Sequence, residues 1–214
     1  MSSTTSISVS EYLNSSYSPD RDFVDGRVEE RNVGEHDHAA VQAALILWFG
    51  QRQDEWNIEV LPEQRIRISA TKFRVPDICL VSLDQPVEQI LTKPPLACIE
   101  ILSPEDTLRR MQERINDYRE LGVANIWVLD PATQRGYDCR LSGFLDATEF
   151  AIPGTPIRLS LQISLQESDD NPVGSAPCAS PSFQTFTATL TALDALLADL
   201  RQQRTLSLRK IHGD

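Results

Sequence analysis

The sequence predicts an α/β fold, a mixed central β-sheet flanked by helices, and three observations carry that prediction. Apolar stretches of strand length recur at 73–81, 97–102 and 123–129. A segment of helical period with its own start and stop signals separates the last two. Strand, helix, strand in that order favours a right-handed crossover, which makes the two strands parallel. The third observation is a pair of acids set into or against otherwise apolar strands, Asp77 in Val75-Pro76-Asp77-Ile78-Cys79-Leu80-Val81 and Glu100 in Ala97-Cys98-Ile99-Glu100-Ile101-Leu102.

The elements follow in chain order. Residues 1–10 are Ser/Thr-rich and read as a loose tail. Asp25-Gly26 is a turn signal, with Phe23-Val24 and Val28 as short strands beside it. A helix is expected over 37–51. Its residues Ala39, Val41, Leu45, Leu47, Trp48 and Phe49 leave almost no polar face, so it should be largely buried. Residues 57–69 alternate, Ile66 and Ile68 against Arg65 and Arg67, the period of a half-exposed strand. Thr71-Lys72 reads as its turn and 73–81 as the returning strand.

A loop with Pro86, Pro94 and Pro95 then leads to the strand at 97–102. Ser103 is placed as the next helix's N-cap, Pro104 as its first residue and Asp106 as the acid of a capping box. Leu108, Met111, Ile115, Tyr118 and Leu121 recur at helical spacing, and Gly122 ends the run. After the strand at 123–129, residues 137–141 and 157–165 read as edge strands. This gives a domain over 11–165, a flexible linker at 166–188 and a helical tail at 189–214. The tail's leucine spacing is the only basis for a possible homodimer.

Bulk properties narrow the function. The chain has 214 residues, 41% hydrophobic and 24% charged, the composition of a globular protein rather than a disordered one. No stretch is long and apolar enough to span a bilayer, and the first residues lack a secretory pattern, so a cytoplasmic location and no membrane partner are expected. Cys79 and Cys98 lie in strands as small hydrophobes, and no Cys-x-x-Cys pair exists. A nucleophile elbow, a Walker loop, a dinucleotide glycine fingerprint and a His-Glu-x-x-His motif are all absent from the sequence. A net charge of −11 opposes broad attraction to nucleic acid. Locally, however, Arg65, Arg67, Lys72 and Arg74 form an acid-free strip leading to Asp77. Such a strip suits a phosphate backbone, or else a solvated hairpin face.

A carboxylate in an apolar strand is costly unless it is paired, protonated or bound to a cation. Two of them at the ends of neighbouring strands make a hard, oxygen-rich site suited to Mg²⁺ or Mn²⁺. Singly, each has a plainer reading: Asp77 as a turn or capping acid, Glu100 as a buried partner of Arg74 or Arg114. Arg114 flanks the apolar stripe of its helix and can lean inward or pair with Asp117 outside. His38 is placed at a helix start near the site, His36 on the surface, and Trp48, Trp56 and Trp127 in the core. Glu63 and Gln64 lie where they could face the cleft, with Glu63 equally readable as a solvated acid.

In this order and spacing several motifs resemble the Uma2-type restriction endonucleases, a branch of the PD-(D/E)xK nuclease superfamily. They are Val24-Asp25-Gly26-Arg27-Val28-Glu29-Glu30, His38 opening a helix, Arg74-Val75-Pro76-Asp77, Ile99-Glu100-Ile101-Leu102-Ser103-Pro104-Glu105-Asp106, Tyr118-x-x-x-Gly122-Val123 and Ile126-Trp127-Val128-Leu129-Asp130-Pro131. They span roughly residues 20–140. The resemblance implies a restriction-endonuclease-like core and a Mg²⁺- or Mn²⁺-dependent endonuclease acting on DNA. It implies Asp77, Glu100 and the carbonyl of Ile101 as metal ligands, with Glu30 as an auxiliary acid. The superfamily's Lys two residues after the Glu is Leu102 here. The related family moves that cation to the helix, where this chain has Arg114. Arginine holds a phosphate well but is a poor general base at a pKa above about 12. A nuclease-derived DNA-binding or assembly module without turnover is therefore the alternative.

Overall fold

The computed structural model describes residues 6–31 and 36–161, which lie in the unit Met1–Gln162. The expected linker at 166–188, the tail at 189–214 and the dimer inferred from it fall outside the described residues.

In chain order the elements are α1 (Val9–Leu13), β1 (Asp22–Val24), β2 (Arg27–Glu29), α2 (His36–Gly50), α3 (Gln53–Trp56), β3 (Ile58–Pro62), β4 (Ile66–Arg67), β5 (Lys72–Arg74) and β6 (Ile78–Ser82). They continue with β7 (Ala97–Ile101), α4 (Leu108–Leu121), β8 (Asn125–Asp130), β9 (Arg135–Arg140), β10 (Gly143–Ala147), β11 (Glu149–Ala151) and β12 (Arg158–Ser160). A six-stranded sheet runs β10-β9-β8-β7-β6-β3, a four-stranded one β2-β1-β5-β4, and β11 pairs with β12. Within the six-stranded sheet only β7 and β8 are parallel, with Glu100 beside Val128, as the crossover through α4 requires.

Burial on both faces explains the nearly continuous apolar runs of β6, β7 and β8. Alternation sends Cys79, Val81, Cys98 and Val128 to the face covered by α4, where they cluster with Met111, Ile115 and Tyr118. Trp127 stacks on Phe150 at 5.0 Å, which places it under β11. Helix α2 packs on β3 and β7 through a single stripe. Only His38, Val41, Leu45 and Phe49 are buried in it, and Leu47 is half exposed, so the expected general burial of this helix is corrected. Trp48 and Trp56 are also only half buried. Both carry the Arg52 guanidinium on their rings, at 3.7 and 5.6 Å.

Three further expectations change for local reasons. Residues 6–10 are not loose, since Ser8 caps α1 and Tyr12 is fully buried beside Phe23, with ring centroids 4.9 Å apart. The alternating stretch at 57–69 divides into β3 and β4 at Glu63, whose φ is +50°. The returning strand divides into β5 and β6 at Val75-Pro76-Asp77, because Pro76 has no N–H to give a ladder. That division moves the chain from one sheet to the other and leaves Asp77 at the step.

The start of α4 differs too. Ser103 and Asp106 close a turn on each other, Ser103 N donating to Asp106 Oδ2 at 2.8 Å and Asp106 N to Ser103 O at 2.9 Å. Thr107 is the true N-cap, accepting from Arg110 N, and Gly122 ends the helix at φ +99°. The Asp25-Gly26 turn forms as expected. Both residues have positive φ, and they join β1 to β2 in a two-residue hairpin.

Candidate active site

Asp77 and Glu100 are 3% and 0% exposed, so each carboxylate depends on protein partners. Asp77 Oδ2 accepts from the Ile101 amide at 2.7 Å, and His38 Nε2 stands 3.4 Å from the same oxygen. Its Oδ1 accepts from Arg31 Nη2. The Asp77 carbonyl is held as well, by Gln42 Nε2 at 3.1 Å and Glu63 N at 3.2 Å. Four elements or their flanks thus converge on this residue: the end of β2, α2, the β3–β4 bend and β7.

Glu100 is served from α4. Tyr118 donates its hydroxyl to Oε1, and Arg114 Nη2 lies 3.0 Å from Oε2. That ion pair lacks hydrogen-bond geometry, and Oε2 has no hydrogen-bond partner. Arg114 is fixed elsewhere, donating to the Val75 carbonyl at 2.9 Å with Asp22 Oδ2 3.7 Å from its Nε. Among the described residues, the buried side-chain atoms without hydrogen-bond partners are Arg31 Nε, Glu100 Oε2 and Arg114 Nε. All three belong to this cluster.

The two acids titrate in opposite directions. Burial pushes the Glu100 carboxyl up to about 7, since the opposing pull of Arg114 is weaker than its loss of water. Burial acts on Asp77 as well, but the hydrogen bond from His38 and the charges of Arg31 and Arg114 hold it below the usual carboxylate range. The bond to Asp77 raises His38, which favours imidazolium despite partial burial.

A second buried cluster adjoins the first. Arg74 Nε donates to Asp117 Oδ2 at 2.7 Å, while its Nη1 reaches Asp22 at 2.9 Å and Glu29 at 3.0 Å. Lys72 joins through Asp117 at 2.7 Å, with Glu120 at 3.7 Å. The expected basic strip is corrected accordingly. Arg74 is buried, Lys72 is tied to α4, Arg65 is paired with Asp20 at 2.5 Å, and Arg67 alone of the four is exposed. The short-range alternation at 65–74 revealed the charges but not their partners on distant elements.

The structure brings together Asp77, Glu100, the Ile101 main chain and Arg114. Glu30 lies at the rim, largely exposed and paired with Arg21 at 3.1 Å. It lines a small polar cavity of about 30 Å³ with Asp22, Glu29, Arg31, Arg110 and Arg114. Gln64 turns away to the Gln89 carbonyl at 2.9 Å. Sequence reading missed Arg31 and Asp22, which carry no motif of their own, and gave Tyr118 a place in a helical stripe and a family motif but no part in the site.

A mixed sheet that sets an Asp and a Glu side by side at the ends of neighbouring strands, under a helix carrying a cation, resembles the PD-(D/E)xK-related nuclease folds. The chain belongs to the Uma2 family, whose model, described as "Putative restriction endonuclease", matches residues 10–164. Among solved structures, a "putative nuclease belonging to DUF820" from Anabaena variabilis ATCC 29413 superposes with a TM-score of 0.61 at 19% identity, over 72% of this chain and 95% of that one. That likeness concerns the fold. A DrdV–DNA complex gives a TM-score of 0.38 at 15% identity, over 60% of this chain and 10% of that one, too slight a likeness to argue from. No curated protein matches the chain. Among the described residues, no helix is long and apolar enough to cross a membrane.

Proposed function

We propose that this protein is a Mg²⁺- or Mn²⁺-dependent endonuclease that hydrolyses DNA phosphodiester bonds at the Asp77–Glu100 centre, on a PD-(D/E)xK core. The observation that carries the reading is the buried Glu100 Oε2, which faces Arg114 Nη2 at 3.0 Å but receives no hydrogen bond, beside a second buried carboxylate. A buried acceptor oxygen without a hydrogen bond keeps acceptor capacity for a cation or a donor. The donor set is hard oxygen, which fits Mg²⁺ or Mn²⁺. Asp77, Glu100 and the Ile101 carbonyl would hold the ion. A divalent ion bound there would polarise the scissile phosphate and lower the pKa of an attacking water.

The remaining roles belong to the chain. Ile101 N–H and His38 orient Asp77, and Tyr118 orients Glu100. Arg114 stays charged, because Glu100 and Asp22 outweigh its burial, so it serves as a fixed positive charge for the phosphate rather than as a base. Glu30 at the cavity rim is an auxiliary acid, and Arg67, whose Nε donates to the Ser69 carbonyl at 3.3 Å, is the exposed member of the basic strip that would meet a DNA backbone.

One observation favours a second reading, a nuclease-derived DNA-binding or assembly module without turnover. Among the described residues no group of three His, Cys, Asp or Glu side chains converges as a metal site, and each central acid already faces a guanidinium. Supercoiled-plasmid cleavage in Mg²⁺, Mn²⁺ or EDTA separates the two. The enzyme reading expects metal-dependent nicking that falls by at least about 100-fold in Asp77→Ala and Glu100→Ala. Nicking by Asp77→Ala at the wild-type rate would reject the site, and DNA binding indifferent to EDTA without nicking would select the module.

A further inference from the structure

Arg31 and Arg114 each face one of the two central acids, yet they are held very differently. Arg114 is anchored independently of Glu100, by the Val75 carbonyl at 2.9 Å and by Asp22. Among the described residues Arg31 has no such anchor: its Nε is buried without a hydrogen-bond partner, and its ion pairs are with Asp77 and Glu63. Glu63 Oε1 lies 3.9 Å from Arg31 Nη1, with its side chain 42% exposed. The left-handed bend at Glu63 brings its amide to the Asp77 carbonyl, so the two acids flank one guanidinium. A divalent cation and a guanidinium on the same Asp77 oxygen would repel each other.

We propose that Arg31 is a displaceable counter-ion of Asp77, which transfers to Glu63 when a divalent cation binds and thereby sets the affinity for that cation. This rests on the metal-binding reading above. In the cation-free state Arg31 keeps the buried carboxylate compensated, which its environment demands. In the bound state Glu63 receives the guanidinium at the surface, leaving it beside the cleft where a phosphate would enter. The sequence leaves Glu63 between a cleft-facing and a solvated acid; its ion pair with Arg31 is the contact from which this role is argued.

The test is calorimetric titration of the full chain with Mn²⁺, with circular dichroism to verify folding. Arg31→Gln should bind Mn²⁺ about 10-fold more tightly than wild type, within the usual range of coupling between two sites. Glu63→Gln should bind about 3-fold more weakly, the scale of a rim ion pair. In the Arg31→Gln background, Glu63→Gln should add nothing, because its effect runs through Arg31. Unchanged or weaker binding by Arg31→Gln overturns the proposal while the metal site stands. An equal loss from Glu63→Gln in both backgrounds does the same. If Arg31→Gln does not fold, the exposed Glu63→Gln decides alone, and wild-type affinity there overturns it. Absence of Mn²⁺ binding in wild type and both variants rejects the metal site itself, and this proposal with it.

Discussion

Arg74 and Arg114 are both guanidiniums set against Asp22, and their surroundings differ in one respect. Every acid around Arg74 meets it in close contact: Asp117, Asp22 and Glu29 lie within 2.7–3.0 Å, and Asp22 Oδ1 also accepts from Val75 N at 2.8 Å. Around Arg114, the Nε and the facing Glu100 Oε2 are left unsatisfied. A buried charge cluster that is complete ties α4 to the four-stranded sheet and holds the fold. The other, in the same interior and sharing Asp22, leaves hydrogen-bonding capacity unused, which is the feature on which the proposed metal site rests.

The sharpest way to break this comparison is Arg74→Ala. It leaves Asp22 and Asp117 buried without their shared cation, and should lower stability by about 3–5 kcal/mol in urea unfolding. A loss below about 1 kcal/mol would mean that the complete cluster is not scaffold.

The next effect is on pH dependence. The folded state holds the Glu100 proton up to about 7, above the ordinary 4.5, so it binds that proton more tightly than the unfolded chain. Its contribution is fully present below pH 4.5 and is lost as pH rises through about 7, on the order of 3 kcal/mol in all. Asp77 works in the opposite sense, since its depressed value favours folding above the usual carboxylate range and loses that advantage in acid. Unfolding measured from pH 4 to 8 should therefore show a stability decline towards neutrality that Glu100→Gln removes. Parallel curves for the two proteins would contradict the burial argument.

Smaller still is Tyr118→Phe. It strips the hydroxyl from Glu100 Oε1, leaves a second oxygen unsatisfied and should destabilise by about 1–3 kcal/mol. Because that hydrogen bond lowers the Glu100 value, its loss should move the stability decline to higher pH. Lys72→Ala comes last. Asp117 keeps Arg74, and Lys72 is partly solvated, so about 0.5–1 kcal/mol is expected in the same unfolding assay.

Much of this was legible along the chain. The periods of β6, β7, β8 and α4, the Asp-Gly hairpin and the Gly122 stop are local signals, set by backbone preferences and the alternation of apolar residues. The pairing of Asp77 with Glu100 was legible for the same reason, since an acid inside an apolar strand stands out without any knowledge of its partner. Partner choice was not. The sequence offered Arg74 or Arg114 for Glu100, and the geometry selects Arg114, while Arg74 turns to Asp22 and Asp117.

What the sequence determined by itself was the type of fold and the two carboxylates at its centre, because periodicity and the cost of burying charge act within a few residues. The tertiary structure alone decided which cations answer those carboxylates and which remain scaffold. Arg31 and Asp77 are 46 positions apart, and Arg74 and Asp22 are 52 apart. The second contact forms only when β1 and β5 pair across the four-stranded sheet, and the first only when Val75-Pro76-Asp77 has carried the chain on towards the six-stranded one.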